Sequence, residues 1–126
     1  MKKLSTEYLA ECRNALNAEQ TRSLATTDNW SHVDKQQAHL DWDVLYKELT
    51  PLLERSPSSP EVQALMTRHY AVASRFYAPS KQAYIGLGLF YQENQDMKNF
   101  HNAYHPNMVD FLGEAMCVYA QGHLSA

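Results

Sequence analysis

Apolar residues recur along this chain at steps of three and four, and no segment sustains alternation with polar ones, so the pattern predicts helices and no sheet. Ser5 is placed to cap a first helix running towards Gln20, with Leu9, Cys12 and Leu16 as its apolar stripe. The stripe is narrow between polar flanks, which predicts weak packing. Thr21 to Asn29 is polar and reads as a loop. A second helix is expected from Ser31 to Arg55, with Ala38, Trp42, Leu45, Leu49 and Leu52 on one face. Pro51 should kink or break its last turn. The run Ser56-Pro57-Ser58-Ser59 separates it from a third helix, capped by Ser59 with Pro60 in the first helical position. There Val62, Leu65, Met66, His69, Tyr70, Ala73, Phe76 and Tyr77 follow the helical template, and Pro79 ends it. Ser80 caps a fourth helix from about Lys81 to Gln92, and Asn94 starts a short fifth element through Ala103. Pro106 starts the last helix, with Met108, Leu112, Ala115, Met116 and Tyr119 on one face and Gly122 placed to end it.

These elements predict one all-α domain over residues 1–126, of five or six helices joined by tight proline turns. Unequal lengths suit a globin-like or irregular bundle better than four matched helices. A chain of 126 residues buries a single core without disulfides or metals. Its net charge of −3 offers no general attraction to nucleic acid, and Lys2-Lys3 reads as a solvated end. No apolar signal segment opens the chain, and no run approaches the roughly 20 apolar residues that cross a bilayer. The expectation is a cytoplasmic protein in which Cys12 and Cys117 stay reduced as small buried hydrophobes.

Candidate chemistry is sparse. Of the six histidines, His101 and His105 are four apart with Asp96 and Asp110 nearby, yet Pro106 biases His105 away from helical geometry. No His-Glu-x-x-His or Cys-x-x-Cys is present, so neither metal nor cofactor is expected, and these histidines read as solvated or capping. Asp41 and Asp43, two apart on a helix, point to different sides. Ser74 and His69 make a poor nucleophile–base pair. No residue set supports an enzyme.

Aromatic residues are the richest feature. A buried tyrosine hydroxyl needs a partner, so eight tyrosines in so small a domain suggest that some line a cleft. His69, between Met66 and Tyr70 on the apolar face, reads either as a core histidine with one hydrogen bond or as a polar anchor for a ligand. Gly86 and Gly88 lie inside a helix, where glycine costs about 1 kcal/mol relative to alanine. Each serves close helix packing or leaves space for a ligand.

The ordered set Gln63-Ala64-Leu65, Phe76-Tyr77, Leu87-Gly88-x-x-Tyr91, Phe100, Pro106, Phe111-Leu112-x-x-Ala115 and Tyr119 resembles the TipA-type antibiotic-recognition domain. That domain is the effector half of drug-sensing regulators of the MerR class. It also occurs alone or doubled in drug-sequestering proteins of the albicidin-binding kind. The match is best over residues 59–122. The resemblance implies a globin-like fold with a cleft for large, largely apolar antibiotics such as thiopeptides and aromatic oligoamides. It also implies that an N-terminal part, here residues 1–30, becomes ordered on binding. Two departures stand out. The thiopeptide sensor has a cysteine immediately before its Leu-Gly, where this chain has Gly86, so covalent capture at that position should be absent. No helix-turn-helix precedes the domain, so the chain reads as a stand-alone binder or as a piece of a regulator.

The expectation is therefore a non-enzymatic binder that sequesters an apolar or aromatic antibiotic, as a monomer without membrane or nucleic-acid contact. Its expected lining is Trp42, His69, Tyr70, Tyr77 and Tyr84, with Gly88, Tyr91, Phe100, Tyr104 and Phe111. The alternative is an effector or dimerisation module whose aromatic face buries a partner helix.

Overall fold

The structure is a computed structural model describing residues 4–124; Lys2-Lys3 and the ends of the expected domain lie outside it. Six α-helices follow one another: α1 (Thr6–Thr26), α2 (Lys35–Leu49), α3 (Pro60–Ala73), α4 (Lys81–Glu93), α5 (Gln95–Asn102) and α6 (Met108–His123). A 3-10 turn at Thr50–Leu52 ends α2 where Pro51 was expected to break it. Among the described residues there is no strand, so the chain is an all-α domain.

The glycine- and alanine-bearing α4 occupies the middle, against α1 on one side and α6 on the other, while α2 pairs with α3 and α3 leans on α6. At the α4–α6 crossing a Cβ built on Gly88 would stand 3.3 Å from the Cα of Gly113. On the opposite side a Cβ on Gly86 would stand 2.3 Å from the carbonyl oxygen of Cys12, inside any real contact distance. α1 thus rests on α4 backbone to backbone. The weak packing expected from its narrow stripe is not what α1 shows. Cys12 and Leu16 are buried, and polar clamps at both ends of the contact supply what the stripe lacks. The Glu19 carboxylate accepts from the Ser80 amide (3.0 Å) and hydroxyl (2.5 Å), while the Ser80 hydroxyl itself accepts from the Ala83 amide (3.1 Å). A carboxylate at the N-terminus of α4 also opposes the positive end of its dipole. At the far end Arg13 binds Glu93 through two nitrogens, at 2.9 and 2.6 Å.

Several helix boundaries depart from the pattern. α1 continues through the polar stretch expected as a loop, because Thr26 and Thr27 hydroxyls donate back to the carbonyl of Ser23 and close its end there. Asp28, Asn29 and Trp30 then take φ of 51°, 57° and 61°, three consecutive left-handed residues without a glycine. Each costs roughly 1–2 kcal/mol, least for Asp and Asn. The reversal is held by the Trp30 amide on the Thr27 hydroxyl (3.1 Å) and the Trp30 indole N–H on Ser23 Oγ (2.9 Å). α2 consequently starts at Lys35 rather than Ser31, capped by Asp34 accepting from the Gln37 amide at 3.0 Å. α3 stops at Ala73, so Phe76 and Tyr77 sit on the segment leading to α4 rather than on the helix. Ser59 precedes α3 without making a side-chain cap bond. α4 and α5 run as expected, capped by Ser80 and Asn94. α6 begins at Met108 rather than at Pro106, and passes through Gly122 to end at His123.

Candidate functional site

The reversal at Asp28–Trp30 turns the end of α1 back over the α3–α4 segment and places Trp30 edge-on against Phe76, with ring centroids 5.1 Å apart. Phe76 in turn stacks on Trp42 of α2, nearly parallel at 5.9 Å. These three rings form one wall of a cleft of about 480 Å³. Leu16 of α1, Leu87 and Tyr91 of α4, and Tyr77 complete its apolar lining. Gln20, Asn29, Lys35 and His39 are the polar side chains at its edge, and no carboxylate lines it among the described residues. A second chamber of about 230 Å³ adjoins it and shares the walls His39, Trp42 and Tyr91. Tyr46, Met97, Phe100 and His101 close the far side.

Behind both cavities runs a buried chain of polar groups. Tyr84 Oη lies 2.8 Å from His69 Nδ1, His69 Nε2 lies 3.4 Å from Tyr46 Oη, and Tyr46 Oη lies 3.2 Å from His101 Nε2. His101 Nδ1 ends the chain on the carbonyl of Met97, at 2.7 Å. Burial holds both imidazoles neutral: it pushes His69 down to about 3 and lowers His101 as well. The Tyr46 and Tyr84 phenols are pushed up by the same desolvation. The direction of every proton follows. A carbonyl only accepts, so His101 Nδ1 donates to Met97 and its Nε2 accepts from Tyr46. Tyr46 then accepts from His69 Nε2–H, and His69 Nδ1 accepts from Tyr84. Four helices are joined by bonds that use every N–H and O–H proton of these side chains.

The expected site residues divide accordingly. Trp42, Tyr77 and Tyr91 line the main cleft, and Phe100 lines the adjoining chamber. His69 and Tyr84 lie directly behind, fully buried and bonded to one another, so His69 takes its core reading, with two bonds rather than one. Tyr70 donates to the carbonyl of Pro79 at 2.5 Å. Tyr104 donates to Asp43 at 2.5 Å; burial first, and then this bond, raises its phenol to about 12. Gly88 sits at the α4–α6 crossing and Phe111 borders a wider groove on the opposite face, so the structure does not bring these two to the cleft. His101, expected as solvated or capping, is buried at the end of the polar chain. His105 accepts from the Asn107 amide at 3.0 Å in the turn before α6, without capping the helix. Both cysteines are free and buried. Among the described residues no group of three or more His, Cys, Asp or Glu could hold a metal ion, and no helix is long and apolar enough to cross a membrane.

Phe76, Trp30, Lys35 and His39 were not in the expected lining. Phe76 was read only as a residue of the third helix, and Lys35 and His39 share a face with Trp42 at spacings of four and three, a signal present in the sequence. Trp30 carries no such signal, because the left-handed reversal alone delivers it.

Comparison with known proteins bears on the same region. The family model of the TipAS antibiotic-recognition domain matches residues 8–119, from α1 into α6. Two HTH-type transcriptional regulators SkgA, from Caulobacter vibrioides strains NA1000/CB15N and ATCC 19089/CB 15, are each 32% identical to this chain over 96 residues. Those residues are 75% of this chain and 36% of each regulator, so the chain spans about a third of the relatives it matches. No solved structure matches.

Proposed function

We propose that this chain, which belongs to the TipAS antibiotic-recognition domain family, binds and sequesters a large aromatic antibiotic, albicidin- or thiopeptide-like, in the cleft walled by Trp30, Phe76 and Trp42. The stacked wall carries this reading. Two parallel rings with a third edge-on present an apolar surface that other aromatic rings match in geometry. Each ~100 Å² of apolar ligand surface covered contributes about 2.5 kcal/mol. The role is holding rather than conversion: the family is a recognition domain, and the two buried imidazoles are occupied by structural bonds. Ordering of the N-terminal part around the ligand, and a place in the cytoplasm, belong to this proposal. So does the output, which is drug resistance by sequestration or drug sensing; the relatives it matches are HTH-type transcriptional regulators.

The test is quenching of Trp30 and Trp42 fluorescence during titration with albicidin-type and thiopeptide antibiotics and an unrelated drug. Saturable quenching by one class, lost in Phe76→Ala, supports the proposal; no response to either class removes it. The second reading, an interaction module, has one observation in its favour. Leu40 and Val44 of α2 are each 52% exposed one helical turn apart, on the side away from the core. Mass that rises with concentration and falls back in Val44→Glu would favour it.

A further inference from the structure

The two cavities share three walls but differ in what they ask of an occupant. In the small chamber the polar atoms of Tyr46 and His101 are committed: Tyr46 Oη accepts from His69 and donates to His101, and His101 donates its remaining proton to Met97. Beyond the walls shared with the main cleft, His39 and Tyr91, a ligand group with its own donor or acceptor would lose water and gain no partner, at a cost of about 1–3 kcal/mol. Met97 and the ring of Phe100 complete the chamber, and both suit an aromatic guest. The main cleft is the opposite at one edge. Lys35 donates to the carbonyl of Asn29 at 3.1 Å and pairs with no carboxylate among the described residues. His39 lies one turn further along the same face of α2. With no carboxylate in the lining, the fixed charge on this edge is positive.

We infer that the site is built for a two-part aromatic acid. An uncharged ring without donors or acceptors enters the small chamber past Trp42 and Tyr91, and a second ring system carries an anionic group to Lys35. This rests on the cleft being the ligand site, and it adds to that reading both polarity and orientation.

Three probes separate the parts. 1-Anilinonaphthalene-8-sulfonate has two ring systems and the anion. N-Phenyl-1-naphthylamine lacks the sulfonate, and naphthalene-1-sulfonate lacks the second ring. Binding is read by quenching of the protein's tryptophans. The sulfonate of the full probe should strengthen binding about three- to fivefold over the amine, as expected for one partly exposed ion pair. Lys35→Gln should erase that difference, and added salt should diminish it. The second ring should contribute about tenfold or more over naphthalene-1-sulfonate. Phe100→Ala, a substitution at a half-exposed position, should weaken both two-ring probes and leave naphthalene-1-sulfonate unchanged. Equal binding of all three probes, indifferent to both substitutions, would overturn the two-part site while leaving a ligand cleft. Absence of quenching by any probe would overturn the cleft itself.

Discussion

Lowering the pH from about 7 to about 5 places a proton on His69 in the unfolded chain and not in the folded one. Its ordinary value of 6.5 is pushed down to about 3 by burial first, and then by the neighbouring His101. The folded value lies below the unfolded one. The stability tied to the neutral ring is therefore complete above pH 6.5 and is lost as the pH falls towards 3. Integrating the difference in bound protons gives a loss of about 2 kcal/mol between pH 7 and 5, and about 3 kcal/mol by pH 4. His101, lowered for the same first reason, adds to it with the same sign. His69→Gln is the informative variant. Its amide N–H faces Tyr46, its carbonyl accepts from Tyr84, and it does not titrate. The variant should be less stable at neutral pH but have a flatter acid limb when urea midpoints are followed by circular dichroism. The surface carboxylates Asp41, Asp43 and Glu48 are held low chiefly by bonds to Arg75, Tyr104 and Arg68. They act below about pH 4.5 and equally in both proteins. Parallel acid limbs in the two proteins would refute the neutral, buried state of His69.

Other outcomes follow from the helix contacts and the reversal. Glu19→Ala strips the Ser80 amide and hydroxyl of their acceptor and should cost about 2 kcal/mol in urea unfolding, as for hydrogen bonds to a charged group. Arg13→Ala breaks an exposed pair on the same interface and should cost less than about 1 kcal/mol, so an equal loss would overturn the ranking. At Asp28, with φ 51° and an exposed side chain, Asp28→Gly should leave the melting temperature unchanged or slightly raised, whereas Asp28→Ile should cost about 1–2 kcal/mol. Gly122→Ala, with no atom within 4 Å of the added carbon, should stabilise α6 by up to about 1 kcal/mol, visible as a shift in thermal unfolding.

Where a cap residue states a boundary chemically, the sequence was a good guide: Ser80 and Asn94 begin α4 and α5 as their side chains suggest. Boundaries set by tertiary contacts were not legible. α1 runs on because two threonine hydroxyls and a buried Ser23 finish it, which no apolar period records. Phe76 and Tyr77 keep helical spacing beyond the end of α3 because the segment still faces the cleft with them. The same cause governs the site. Trp42, Tyr77, Tyr91 and Phe100 were readable as inward aromatics, but lining and backing residues share one pattern. His69 and Tyr84 separate from the lining only once depth is known. Trp30 depends on three left-handed residues that carry no glycine to announce them.

The contact of Gly86 with the Cys12 carbonyl has a consequence for how this chain can change over time. In the thiopeptide sensors that it resembles, a cysteine precedes the Leu-Gly pair and offers a nucleophile. Here the seat for that side chain is taken by another helix's main chain, 2.3 Å from where a Cβ would stand. Gly86→Cys would lift α1 from α4, and its thiol would lie at that interface. Recovering covalent capture at this position needs at least a compensating change in α1, and the intermediate is a destabilised protein. A nucleophile at this position is thus incompatible with the α1–α4 contact as it stands.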